Sequence, residues 1–164
     1  MTEIEKEALY AIFQLLPLSE VDSQLLKTFN CEINSDLTNF IHKTARDYET
    51  RQIARTFVLV NSAENEVVGY FTLSMKSLST IGMSKTSIKK IDGVSNSRVC
   101  IHSFLIGQLG ISDNYAQDKL GILLLDDAVN NEKVIKFYTD YGFSLLATNI
   151  DESENSSMRM IYKI

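Results

Sequence analysis

An α/β domain, with a central sheet flanked by helices, is what this 164-residue sequence predicts. Two observations carry the expectation. Apolar residues recur at helical spacing over 2–16 and 34–48, and again towards the C-terminal third. Between these stretches lie β-branched and apolar runs, 56–60, 67–75 and 99–111, that read as strands. An apolar content of 45% gives one domain enough material for a core, so 1–164 is read as a single domain.

The elements follow in order. Residues 2–16 place Ile4, Ala8, Leu9, Ile12, Phe13 and Leu16 at helical spacing, and Pro17, the only proline, breaks the run. Residues 18–26 read as a second short helix or loop. Asn34 or Ser35 can cap a helix in which Leu37, Phe40, Ile41 and Ala45 share a face, with Tyr48 extending the stripe. Strand 56–60 turns through polar residues 63–66 into its hairpin partner, 67–75. Residues 76–98, rich in Ser, Thr, Lys and Gly, read as a long loop, functional or disordered. The run 99–111 reads as a strand buried on both faces. A polar loop then leads into an apolar helix at 122–125, and 126–130 separates it from a helix begun by Asn131. Gly142 suits the left-handed turn that ends this last helix, before a final strand at 144–148.

Composition narrows the function. The net charge of -5 and a pI near 5.0 argue against a broad nucleic-acid surface, because phosphate binding needs clustered Lys and Arg. Lys85, Lys89 and Lys90 form a local basic patch that reads as a solvated loop or helix face. Cys31 and Cys100 read as buried, reduced thiols of a cytosolic protein. Two His and two Cys scattered without paired spacing give no metal site. No apolar run approaches the roughly 18 residues that span a bilayer, and the acidic start is unlike a signal peptide. A cytoplasmic protein without a membrane segment is expected.

The segment 130–143, NNEKVIKFYTDYGF, carries the chemistry. It resembles the C-terminal signature of the GNAT superfamily of N-acetyltransferases, Asn-x-x-Ala-x-x-Phe-Tyr-x-x-x-Gly-Phe. Asn131, Val134, Phe137, Tyr138, Gly142 and Phe143 fill its positions, with Val134 in place of the small residue. Wording further upstream is similar to the branch that includes bacterial toxins acetylating aminoacyl-tRNA. Phe29 and Cys31, then Leu37, Phe40 and Ile41, then Ala54 to Val58 and Val68 to Leu73 carry that likeness. The resemblance implies a mixed central sheet splayed around acetyl-CoA, the acyl-donor substrate. It implies direct attack by a primary amine, with Tyr138 protonating the departing thiolate. The helix at 2–16 lies outside the family's core elements, which leaves it as an extension, a cover or a homodimer contact.

Cofactor contacts follow from the same resemblance. A polar loop entering a helix offers free N–H groups and a positive dipole end to a pyrophosphate. The family's loop frame falls on residues 116–121, which include Gln117, Asp118, Lys119 and Gly121. Ala116 replaces the polar or basic residue and Lys119 the first glycine; Lys119 can offer a cation, while its Cβ crowds backbone approach. Asp118 puts an acid where phosphate should lie, and reads in preference as a helix cap or first-turn acid whose side chain points away. Leu109, Gly110 and Ile111 match the strand end that binds pantetheine amides through backbone groups, with the Leu109 amide as oxyanion donor. Asn131 matches the residue touching the pantetheine arm, or serves as a helix cap, and Phe137 belongs to the same slot.

No general base is identifiable. His102 sits in the strand 99–111 and His42 on the early helix, and both read as structural. The family places another parallel strand where this chain has only 126–130. Loss of that strand, a segment absent from this sequence, or a strand from a neighbouring chain would each account for it; a segment absent from this sequence is favoured, since a lost central strand leaves apolar edges unpaired. The leading reading is an acetyl-CoA-dependent N-acetyltransferase for a small-molecule or macromolecular amine. Charged tRNA is the alternative acceptor, disfavoured by the acidic pI, and a catalytically silent binding protein is a third reading. An antitoxin partner is not legible.

Overall fold

Thr2 opens the first helix with a reciprocal cap: its Oγ1 accepts from the Glu5 N–H at 3.3 Å, and Glu5 Oε2 accepts from the Thr2 N–H at 2.8 Å. The computed structural model describes residues 2–92, 99–116, 119–130, 136, 143–145 and 160–162. It divides into two compact units, Met1–Ser74 with Leu105–Ala128, and Met75–Phe104 with Val129–Ile164.

In the first unit, helix α1 (Glu3–Tyr10) gives way to strand β1 (Phe13–Pro17), which corrects the single helix expected over 2–16. The reason is pairing. Phe13 and Leu15 bury on one face with exposed Gln14 between them, a period of two. Antiparallel bonding to β2 (Arg55–Asn61), in register from Phe13↔Asn61 to Pro17↔Phe57, gives those backbone groups partners. Ile4 and Ile12, placed at helical spacing by the sequence, are exposed at 79% and 55%.

Asp22 caps the short α2 (Ser23–Leu26), accepting from the Gln24 N–H at 2.6 Å. Asn34 caps α3 (Ser35–Asn39) in the expected way, accepting from the Asp36 N–H at 3.2 Å. A π-helical stretch, Phe40–Thr44, joins α3 to α4 (Ala45–Thr50). Ile41 and Ala45 bury with Leu26, Phe29, Val58, Val67 and Tyr70 in one cluster. Each large side chain so buried contributes about 1.5–3 kcal/mol. Tyr70 keeps its hydroxyl satisfied by donating to the Leu37 carbonyl at 2.7 Å.

Strands β2 and β3 (Glu66–Ser79) form the expected hairpin, with a bulge at Leu59/Val60. Asn61 Oδ1 accepts from the N–H groups of Ala63 and Glu64, and Asn65 takes the left-handed conformation that Asn tolerates. The sheet order is β1-β2-β3-β4, with β4 spanning Cys100–Ile111. Burial of β4 on both faces is not observed: Leu105 is 46% exposed, Gly107 is exposed, and Ile106 and Leu109 are half-buried. It is the last strand of the described sheet, and no described strand lies along its outer edge.

The second unit replaces the expected long loop with regular structure. Outer residues of β3 and β4 continue the pairing, with the Thr80 N–H donating to the Val99 carbonyl at 3.0 Å and Ser103 Oγ to the Lys76 carbonyl at 3.0 Å. Helix α5 (Lys85–Asp92) begins after Ser84, whose Oγ accepts from the Ser87 N–H at 3.1 Å, and buries Ile88. Strands β5 (Phe143–Leu145) and β6 (Met160–Tyr162) pair antiparallel; β5 starts one residue before the strand expected at 144–148, whose remainder lies outside the described residues.

Candidate functional site

Leu109, Gly110 and Ile111 end β4 as expected, and the first unit fixes their backbone from three sides. The Ser112 N–H donates to the Val68 carbonyl at 2.8 Å, tying the strand end to β3. The Thr72 hydroxyl, buried on β3, accepts the Gln108 N–H at 2.9 Å. Asp113 anchors the loop beyond: Oδ2 accepts from the Glu32 N–H at 2.8 Å and from Asn30 Nδ2 at 3.1 Å. Its own N–H donates to the Asn30 carbonyl at 2.9 Å.

Two glycines set how closely these layers approach. A Cβ on Gly69 of β3 would stand 2.7 Å from the Gly110 carbonyl oxygen, 2.7 Å from Ile111 Cδ1 and 2.8 Å from Leu124 Cδ1. Only hydrogen fits there. Gly69 therefore brings the end of β4 and helix α6 (Leu120–Asn130) together. A Cβ on Gly110 would meet Leu37 at 3.0 Å and Phe29 at 3.3 Å. Gly69 and Thr72 were missed as site residues; a glycine inside a strand pattern is the signal for the first.

Helix α6 covers both the apolar run and the spacer 126–130, so no strand separates 122–125 from 130 among the described residues. Leu120, Leu123, Leu124 and Ala128 are buried. At its start, the Lys119 carbonyl accepts from Ile122 and Leu123, so the N–H groups of Leu120 and Gly121 have no partner within the helix. A Cβ on Gly121 would meet nothing within 4 Å. Open space at a helix N-terminus fits a pyrophosphate. Lys119, the cation expected there, is 64% exposed at its side chain and donates to Glu5 Oε1 of α1 at 2.9 Å. The Thr2 N–H, and then Lys119, hold the Glu5 carboxyl down at about 2.

Tyr115, just past β4, presents a phenol in this unit. Its hydroxyl donates to Glu64 at 2.5 Å, lies 3.2 Å from Glu66 and accepts from Asn61 Nδ2 at 3.4 Å. Burial, with the Glu64 bond, pushes it up to about 12. A phenol committed to carboxylates is a poor donor to a thiolate. Two other expectations resolve simply: His42 Nε2 lies 3.1 Å from the Phe29 carbonyl, a packing role, and the cysteines are free thiols, with Cys31 half-buried and Cys100 exposed rather than buried. Tyr138, Asn131, Phe137, Gln117 and Asp118 lie outside the described residues, as does the side chain of His102. No His, Cys, Asp and Glu cluster that could hold a metal occurs among the described residues, and no described helix is long and apolar enough to cross a membrane.

No protein-family model and no curated protein matches the chain. Solved structures do. AtaT complexed with acetyl-methionyl-tRNAfMet is 23% identical, with a TM-score of 0.60, over 90% of this chain and 94% of that one. AtaTR bound with AcCoA is 23% identical, with a TM-score of 0.59, over 92% and 94%. A tyrosine-to-phenylalanine mutant of KacT is 23% identical, with a TM-score of 0.58, over 91% and 94%. With nearly whole-chain coverage on both sides, the fold of this chain is the GNAT fold of these structures, as the Tyr138 signature led one to expect.

Proposed function

We propose that the protein is an acetyl-CoA-dependent N-acetyltransferase whose acceptor is the α-amine of an aminoacyl-tRNA. The observation that carries this reading is the fold shared, over 90% of the chain, with a structure named for its acetyl-methionyl-tRNA complex. A second match, named for bound AcCoA, supports the donor. The alternative acceptor of the sequence reading thereby moves ahead of a small amine.

The chemistry needs a neutral amine, a stabilised oxyanion and a protonated leaving group. The amine attacks the thioester carbonyl, a C–N bond forms, and the Leu109 N–H meets the oxyanion. The attacking nitrogen sheds its extra proton to solvent, collapse breaks the C–S bond, and Tyr138 gives its proton to the thiolate and is reprotonated from solvent. The outer edge of β4, along which no described strand lies, offers N–H and C=O groups to pantetheine amides, and the N–H groups of Leu120 and Gly121 serve the pyrophosphate. Lys119 adds its charge once it leaves Glu5.

Acetyl transfer from radiolabelled acetyl-CoA to a panel of charged tRNAs, run beside a panel of small amines, tests the acceptor. Transfer to charged tRNA is expected, and label found only on small amines would overturn it. Tyr138→Phe should lower turnover about 10²- to 10⁴-fold, the usual range for losing a general acid. Unchanged turnover in that variant removes the assignment. The Lys119–Glu5 bond favours one second reading, a silent fold that binds without transfer; donor binding without turnover on any panel would establish it.

A further inference from the structure

Charge is distributed unevenly along this acidic chain. Between residues 75 and 104 lie five cations, Lys76, Lys85, Lys89, Lys90 and Arg98, and one acid, Asp92. The chain carries 16 Lys and Arg against 21 Asp and Glu, so everything outside this stretch is more acidic than the whole. Fields from exposed charges decay over about 8–10 Å at physiological salt, so a polyanion meets the local surface and not the net charge. That removes the force of the low pI.

The structure places this stretch in one compact unit and gives it regular structure. Residues 75–79 of β3 are all exposed, where the preceding seven residues but one are buried. They pair with the outer part of β4 as a two-stranded ribbon, and α5 follows from the turn with Lys85 and Lys89 exposed. These two are four residues apart on one helical face, with Cβ atoms about 5–6 Å apart, a spacing that suits neighbouring phosphates. Lys76, Lys85 and Lys89 form no ion pair with a described residue. Among the cations lie apolar side chains open to solvent: Met75 is 47% exposed, Leu78 40% and Ile81 81%.

We propose that this ribbon and helix α5 form a contact surface for RNA, with Lys76, Lys85 and Lys89 on backbone phosphates and the apolar residues against unstacked bases. The proposal rests on the aminoacyl-tRNA reading for its partner. Unpaired cations repel one another at a cost that a phosphate backbone relieves, and phosphate contacts supply most of the affinity for nucleic acid. Unstacked bases of single-stranded RNA are splayed out and offer their faces to side chains, and Met75, Leu78 and Ile81 are apolar surface open to them.

Uncharged tRNA binding, followed by fluorescence anisotropy across a salt series, tests it on the full chain. The parent should bind, with log affinity falling linearly in log salt. The Lys76→Glu, Lys85→Glu, Lys89→Glu variant should bind at least about tenfold more weakly, with a slope about 2–3 units shallower. Since all three side chains are exposed, far-UV circular dichroism should be unchanged, and so should acetyl-CoA binding. Single Lys→Gln variants, each lowering the slope by about 1, guard against a folding defect in the triple. Identical affinity and slope in parent and triple variant overturns the proposal. So does displacement of tRNA by a polyglutamate that itself binds at least as tightly. A parent that binds tRNA through these lysines yet transfers no acetyl group to charged tRNA leaves the proposal standing and defeats the proposed acceptor.

Discussion

Tyr115 shows how a single side chain can be read for stability rather than chemistry. Its ring packs edge-on to Phe13 with centroids 6.0 Å apart, and its hydroxyl is spent on Glu64 and Glu66. The folded chain holds the neutral phenol, raising it from 10.0 to about 12. A raised folded value means that the stabilisation is complete below pH 10 and is lost as pH climbs towards 12. Urea midpoints measured from pH 8 to 12 should therefore fall more steeply in the parent than in Tyr115→Phe across that upper window. Equal slopes would show that the hydroxyl is not what titrates. At this scale the sequence was partly legible. The end of β4 at Ile111 and the start of an apolar helix at Leu120 were legible as backbone elements, because such positions survive a change of side chain. Gly69 was not legible as a site residue, since its reason is a carbonyl 2.7 Å away on a strand some forty residues further along the chain.

Elements were legible where periodicity and pairing agree, and failed where they compete. The π-helical stretch inside the 34–50 helix did not disturb the expected face, because Ile41 and Ala45 still reach the core. At 13–17, helical spacing and strand alternation both fit, and hydrogen bonding to β2 decided. The same long-range pairing turned 76–79 from loop into strand. Helix α1 holds to α6 through polar side chains: Lys6 pairs with Asp126, Tyr10 donates to Asp127, and Lys119 donates to Glu5. These contacts differ in weight. Asp127 is only 2% exposed, so Tyr10→Phe takes a donor from a buried carboxylate and should destabilise by about 1–3 kcal/mol in urea unfolding. Glu5→Gln keeps the helix cap, because Gln also serves at that position, and removes the charge that holds Lys119. It should leave the urea midpoint nearly unchanged and tighten acetyl-CoA binding several-fold by calorimetry. Weaker binding in Glu5→Gln would mean that α1 supports the loop instead of competing with its ligand.

For the whole molecule, the class of fold was legible because the hairpin and β4 announce themselves in apolar runs, whereas the sheet order was not, since β1 read as helix; the parallel strand that the resembled family places after the 122–125 helix has no counterpart among the described residues. Net charge is a weak guide to what a local surface binds for a physical reason: it averages over distances that salt screens. The end of β4 at Leu109 to Ile111, with no described strand along its outer edge, and the first turn of α6 belong to one compact unit, so a ligand that bridges them stabilises the folded state by mass action. At a concentration about 100 times its dissociation constant the gain is about 2.7 kcal/mol, which for a chain of this size raises the thermal midpoint by roughly 5–10 °C. Acetyl-CoA should produce that rise, and adenosine 3′,5′-bisphosphate, which lacks the pantetheine amides, a smaller one. Equal rises would place the whole effect at the phosphate end and leave the β4 edge without a role. No rise with either compound would show that Lys119 and the helix start do not form a nucleotide site, and the acetyltransferase reading would fall with it.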